Sequence, residues 1–531
     1  MTKSTTSQPV VAPVFLVAFS GHRPKKGEQG RSSEDLAACQ IAIEKALTEF
    51  KSQAEEVGGS VQLLTSLAEG ADLAAAAAAE ELKLPTHFFL PVPEEQFKED
   101  FTEVPEVWKE VERHLRRVEK EGNACTLRIS PSNHRTTDSD IYADTNFALL
   151  SHADALITIA IDPTISCGSE FGSQQVWRDA GERRLPRINI DPRSQRINEV
   201  EDVNLFATYS SDHPRCGLEL LSELTDHLGL SLACQGRHEC IQKAKDAFDQ
   251  RANSISKLVR KALKNIILCH GAASLLAGFA LAGALAFGKS YPVLLGLAFA
   301  ELLLIGFAEY LHRKHHHDGI IWLRCRAAAE NLSMLSNMRS HLDPLETIVG
   351  THSPSWRRFV LSFNLQSGPP PIMELEKAKA EYLEGRIEDQ ITYFTQKNQE
   401  SARPSKNLYR AMRVSSIGAF FVVLFAVIDK ASHSFHWTES YLPAWLTFLL
   451  YFLPVALPLL AGAFLPLRQS LDLSRRQHRF PQVVALLKEA RNDLNIVHSP
   501  YTLKKVVLQV EESLLDERLE FEMAQEIGFE H

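Results

Sequence analysis

Residues 266–311 constrain the fold more than any other stretch, because they hold two apolar runs that each approach the ~20 residues a membrane-spanning helix requires. The first, IILCHGAASLLAGFALAGALAF, contains no Asp, Glu, Lys or Arg. A water-exposed helix of that length would need a polar face, and this run has none. The second, PVLLGLAFAELLLIGFAEYL, is interrupted only by Glu301 and Glu309, and Gly288-Lys289-Ser290-Tyr291 makes the turn between the two. Further apolar runs cover Val414 to Ile428 and Tyr441 to Leu467. The sequence thus predicts an all-α membrane part with four transmembrane helices in two hairpins, the lipid bilayer being one partner. Pro454 and Pro458 each remove a backbone donor and are expected to kink the fourth span.

Basic residues set the expected orientation. Arg260, Lys261 and Lys264 precede the first hairpin and Arg313 and Lys314 follow it, whereas its turn carries Lys289 alone. Arg410 and Arg413 precede the second, Arg468, Arg475 and Arg476 follow it, and Lys430 is the sole Lys or Arg of its loop. Positive flanks favour the cytosolic side, so both termini are expected in the cytosol, with Trp437, Tyr441 and Trp445 near the outer interface. The opening MTKSTTSQPVVAPVF lacks the basic start and apolar core of a secretory signal. A net charge of −9 gives no support for nucleic-acid binding. Eight cysteines are scattered without a disulfide framework, and Cys234 and Cys240 around His238 lack further ligands at zinc spacing, so no metal site is expected. His312, His315, His316 and His317 suit an interfacial polar collar, with metal binding or proton sensing as the alternatives.

Ahead of the membrane part the pattern changes. VFLVAF (Val14 to Phe19), Val61 to Leu64, His87 to Leu90, Ala155 to Ala160 and Arg187 to Ile190 are short apolar runs of strand length, separated by helical stretches. This predicts an α/β, doubly wound, Rossmann-like domain over residues 12–200. Residues 201–236 read as a linker, 237–350 as a charged helix, hairpin and helix, 351–373 as a second linker around Ser367-Gly368-Pro369-Pro370-Pro371, and 374–531 as a repeat of the helix-hairpin-helix plan.

Three turns at strand ends carry the candidate ligand site: Gly21-His22-Arg23, Glu69-Gly70-Ala71-Asp72, and the segment from Gly168 and Ser169 to Gly172 and Ser173. In doubly wound sheets ligands bind beyond the carboxyl ends of the strands, where glycine admits close backbone approach and helix N-termini offer N–H groups to phosphate. None of the three fits the dinucleotide G-x-G-x-x-G spacing or a P-loop. Glu69 and Asp72 also suit the cap of the helix they open, and the glycines suit tight turns alone.

A strand ending in Ser20-Gly21-His22-Arg23, followed by a strand ending in Ser66-Leu67-Ala68-Glu69-Gly70-Ala71-Asp72 before an alanine-rich helix, resembles the SLOG family. That Rossmann-like group is related to the LOG phosphoribohydrolases and to the sensor domain of melastatin-type TRP channels. The resemblance covers roughly the first two hundred residues and implies a nucleotide-derived ligand, with no other cofactor. LOG enzymes place a catalytic carboxylate after a glycine-rich turn, but here Gly172-Ser173 is followed by Gln174-Gln175-Val176, which favours sensing over hydrolysis. The order of helices and hairpins, with Trp322, Arg326 and Ala329-Glu330 after the first hairpin and Glu511-Glu512 near the end, is similar to SLATT, a two-transmembrane effector found beside SLOG sensors in bacterial conflict systems. Together these imply a receptor of the bacterial inner membrane that senses a nucleotide and perturbs the membrane in antiphage defence. A membrane-tethered phosphoribohydrolase and a scaffold whose α/β domain binds protein are the alternatives.

Carboxylates inside spans are costly and usually face protein or water. Positions 301, 305 and 309 are spaced by four, so Glu301 and Glu309 are expected on one face, lining a polar interior built by a homo-oligomer. Glu309 could equally reach the headgroups beside Arg313.

Overall fold

The computed structural model describes residues 11–21, 32–121, 124–128, 138–161, 172–201, 205, 237–287, 291–338, 345, 354–366, 374–434, 443–470 and 473–530. The chain divides into two compact units, one of residues 1–245 and 331–373, the other of 246–330 and 374–531.

The first unit is built on a seven-stranded sheet: β1 Val14–Ser20, β2 Ser60–Thr65, β3 Thr86–Leu90, β4 Thr126–Arg128, β5 Ala155–Ile159, β6 Arg187–Asp191 and β7 Arg196–Glu201. Their spatial order is β4-β3-β2-β1-β5-β6-β7, with every pairing parallel except the antiparallel β6–β7 edge. All seven residues of β1 are buried, as expected of a central strand covered on both faces. On one face, α2 (Gln40–Glu56) and α3 (Ala71–Glu81) set Ile43, Leu47, Phe50, Ala75 and Ala78 against Phe15, Val17 and Ile157. The alanines of α3 let its backbone lie close to the sheet. After the short α1 (Ser33–Ala37) and α4 (Glu94–Phe97), α5 (Pro105–Glu121) extends this layer, setting Trp108, Val111 and Leu115 against Phe88 and Leu90. The other face is covered by α6 (Asp138–His152) and α7 (Ser173–Glu182), whose Leu149, Leu150, Val176 and Trp177 meet Val14, Leu16 and Leu156. The α/β expectation is therefore met, with two strands, β4 and β7, added to the five read from sequence.

That second face also holds a helix from far along the chain. After α8 (Arg237–Phe287) and α9 (Tyr291–Met338), α10 (Pro354–Gln366) places Leu361 and Leu365 in the same core. It lies inside the stretch 351–373 that reads as a linker in the sequence. The reason is a buried polar junction at the start of β1 and β5. Arg358 donates from both Nη atoms to the Asp154 carboxylate at 2.9 and 2.8 Å and to the Val14 carbonyl at 2.6 Å. The Leu16 N–H donates to Asp154 at 2.8 Å and the Val14 N–H to the Ser362 hydroxyl at 3.2 Å. Arg358 also lies 4.3 Å from the Phe15 ring centroid. Both charged side chains are only 2–3 % exposed, so each requires the other.

The second unit is helical. Here α11 (Leu375–Tyr382) passes through a π-helical turn, Leu383–Glu388, into α12 (Asp389–Ser434), followed by α13 (Ala444–Ser470), α14 (Leu473–Ile496) and α15 (Pro500–Glu530). Four helices are long and apolar enough to cross a membrane: α8, α9, the α11–α12 run and α13. α13 is continuous through Pro454 and Pro458. The turn Gly288-Lys289-Ser290 lies outside the described residues. Two glycines of the first span lie close to the fourth: a Cβ on Gly278 would lie 3.3 Å from Val455 and a Cβ on Gly271 3.9 Å from Ala463, and Phe279 meets Phe448 with ring centroids 4.9 Å apart. The opposed numbering makes the spans of α8 and α13 antiparallel neighbours. Away from the spans, Arg386 in the π-turn donates to the Glu511 carboxylate at 2.9 and 2.7 Å, and the Tyr382 hydroxyl donates to it at 3.1 Å. All three are buried, and the pair ties the π-turn to α15.

Candidate functional site

The reversal of strand order places β1 between β2 and β5, so the chain leaves the carboxyl ends of β1 and β5 in different directions. That crevice is where doubly wound sheets take ligands. Ser20 of β1 pairs with Thr158 of β5, which sets Gly21 and Ile159, one residue further on, at adjoining strand ends. Glycine occupies the N-cap of both neighbouring helices, Gly70 before α3 and Gly172 before α7. The positive ends of two helix dipoles are thereby set at the ends of β2 and β5, the strands flanking β1, an arrangement suited to an anionic group.

Asp72, in the first turn of α3, organises the turns of β1 and β2. Its carboxylate accepts the Gly21 N–H at 3.1 Å, the Ala68 N–H at 3.2 Å and the Ser66 hydroxyl. With 3 % exposure, it shapes the loops rather than offering its charge to solvent. The approach of the two loops leaves no room for a side chain at position 21, where a Cβ would stand 2.2 Å from the Ala71 Cβ. Gly70 has φ 92° and ψ −106°, outside the range of L side chains, and Leu67 is held at φ 58° while fully buried. Glu69 is half-buried and accepts from the Ser33 hydroxyl at 3.0 Å, linking this turn to the start of α1. Ser173 opens α7 and donates its hydroxyl to the Ile159 carbonyl at 3.4 Å.

Gly21, Glu69, Gly70, Ala71 and Asp72 are thus brought together, and Gly172 and Ser173 lie at the end of the adjoining strand β5. His22, Arg23, Gly168 and Ser169 lie outside the described residues. Sequence reasoning did not single out Ser66 or Ser33 as parts of the site. Ser66 stands in the turn itself, six residues before Asp72, and a hydroxyl so close to a helix-opening acid was the available signal; Ser33, 36 residues from Glu69, gave none.

The two span carboxylates do not share one setting. Glu309 is exposed and paired with Arg313 at 2.6 Å. Glu301 is half-buried, in a succession with Leu294, Leu297, Leu304 and Ala308 on the less exposed side of α9, whereas Ile305 is exposed. Eight residues at about 100° each leave the two acids about 80° apart, within one broad face of the helix though not in line along it. Glu301 makes no hydrogen bond or ion pair among the described residues, where no cluster of metal-ligating side chains occurs either.

No protein-family model matches the chain, and neither a curated protein nor a solved structure matches it.

Proposed function

We propose that the chain is a membrane-bound receptor and effector: the α/β unit binds a nucleotide-derived signal in the cytosol, and the four spans open or disrupt the membrane. The observation that carries this reading is the crevice at the β1/β5 switch point, with glycine-capped helices at the ends of the strands beside β1, in a chain that also holds four helices of membrane-crossing length and apolarity. The resemblance to SLOG and SLATT proteins adds the bacterial inner membrane and antiphage defence. Gly21, Gly70 and Gly172 admit the ligand's phosphate, with Ser173 and Glu69 beside it, and Asp72 holds the loops in place. A ligand that binds one arrangement of the α/β unit more tightly shifts the population of that arrangement and of the helices joined to it. Glu301, without a partner among the described residues and on the more covered side of its span, is the candidate for a polar path built by several copies of the chain.

The test uses full-length protein in liposomes exposed to a nucleotide library, with ion flux as the readout. A ligand should trigger flux, Gly70→Trp should abolish its binding, and Glu301→Gln should alter cation preference with binding intact. Release of a free base from a nucleoside monophosphate would instead establish the phosphoribohydrolase, and no binding across the library would remove the sensor.

A further inference from the structure

One face of α12 changes character along its length. Arg403, Lys406, Arg410 and Arg413 follow at steps of three and four residues, are all exposed, and make no ion pair or hydrogen bond among the described residues. At 1.5 Å per residue they form a stripe about 15 Å long. The same stepping then continues through Ile417, Phe420, Leu424 and Val427, which are exposed and apolar. No Asp or Glu occurs from 401 to 428. The packed side of the helix lies elsewhere, where Ser401, Ser405 and Ala419 are buried. α8 repeats the succession independently: Lys257, Lys261 and Lys264 are exposed and without partners among the described residues, Leu268 follows exposed on the same stepping, and no acid occurs between 250 and 300.

We propose that these basic faces, that of α12 above all, bind the headgroups of anionic phospholipids where the helices leave the bilayer. The order of the chemistry selects the partner. A diacyl phospholipid presents a phosphate followed by acyl chains, in the sequence in which α12 presents cations followed by apolar side chains, whereas a free phosphate or a soluble polyanion would use only the first half of the stripe. Juxtamembrane cations of this kind are attracted by the surface potential of anionic lipids, and the attraction is screened by salt. The inference rests on the membrane reading above and on no property of the nucleotide site.

Full-length protein in neutral detergent is offered an equimolar mixture of phosphatidylglycerol and phosphatidylcholine, and retained lipids are counted by native mass spectrometry. Wild type should favour phosphatidylglycerol by about tenfold or more at low salt and lose most of that preference near 0.5 M NaCl. The quadruple variant R403Q/K406Q/R410Q/R413Q should bring the preference within about twofold, R403Q/K406Q should fall between, and neutralising Lys488, Arg491, Lys504 and Lys505 should leave it unchanged. Equal retention of both lipids by wild type, or a preference that survives both high salt and R403Q/K406Q, overturns the proposal. Binding of a short oligonucleotide with no lipid preference would assign the stripe to another polyanion and equally overturn it. Extraction of the protein from membranes by alkaline carbonate would sink the membrane reading itself, a different failure from insertion without lipid preference.

Discussion

Replacing Arg358 by alanine should be among the most damaging single changes to the α/β unit, although position 358 lies 204 residues from Asp154 and in a stretch that reads as a linker. The substitution removes both guanidinium bonds to Asp154 and the bond to the Val14 carbonyl, leaving a carboxylate buried with the Leu16 amide and the more distant Arg357, 3.5 Å away. Stranding one partner of a buried pair costs about 3–5 kcal/mol. At about 1.4 kcal/mol per decade this should speed amide exchange in β1 and β5 by roughly two to nearly four orders of magnitude, read by hydrogen–deuterium exchange on full-length protein. Burial alone would raise the Asp154 carboxyl, but Arg358, Arg357 and the Leu16 N–H outweigh it and hold it below the usual range. Its folded value therefore lies below the unfolded one, so the contribution is complete above about pH 4 and is lost as pH falls through the folded value. In the variant burial dominates, and the deficit should shrink as the carboxyl takes a proton. The double variant Asp154→Asn with Arg358→Met removes both fully buried charges and leaves only the partly exposed Arg357, so it should recover most of the loss. Exchange within about fivefold of wild type in Arg358→Ala, or a double variant no better than the single, would refute the assignment of the junction to this pair.

Burial pushes His87 down to about 3, with His152 adding to the effect, and its Nδ1 accepts the Cys125 N–H at 3.0 Å while Nε2 lies 2.6 Å from Gln62. The unfolded imidazole titrates near 6.5, so below that value folding must exclude a proton; stability should fall by about 1.4 kcal/mol per pH unit from this group, and His87→Gln should flatten the slope measured by denaturant titration between pH 6 and 4. Gly21→Ala must push the β1 turn away from Ala71, and should weaken nucleotide binding at least tenfold by calorimetry while Gly59→Ala, remote from the crevice, does not. Glu511→Ala strands Arg386 and should destabilise the helical unit by about 3–5 kcal/mol in thermal unfolding, with Glu511→Gln milder because an acceptor remains. Reporter fusions after Lys289 and within 432–440 should face outward, and fusions at either terminus inward, if the basic flanks set orientation.

How far the sequence could be read depended on whether the decisive partner was local. β1, β2, β3 and β5 are buried on both faces, so their apolar runs announced them. β4 has three residues, and β7, RINEVE, is an antiparallel edge strand with mostly exposed side chains, which composition does not distinguish from loop. The turn at Gly70 was legible because glycine there opens an alanine-rich helix, and that at Gly21 because it ends the apolar run of β1. The division of labour within them was not, since Asp72 is committed to donors on a loop about fifty residues earlier. α10 shows the same limit at longer range: Arg358 looks like any helix-surface cation until Asp154 is set beside it.

The return of α10 also fixes when the α/β unit can be finished. The Val14 N–H and its acceptor, the Ser362 hydroxyl, are 348 residues apart, and both runs of the first apolar hairpin lie between them. At a synthesis rate of about 5–20 residues per second, the ribosome needs roughly 17–70 s after making β1 before it makes the helix that closes over it. Through that interval Asp154 has no guanidinium and one face of the sheet is open, while the hairpin is already made and available for insertion. Biogenesis is thereby ordered: the apolar hairpin precedes the completed α/β fold, so a nascent chain stalled before residue 354 should stay sensitive to protease in β1 and β5, and one extended far enough past 366 for α10 to clear the ribosome should not.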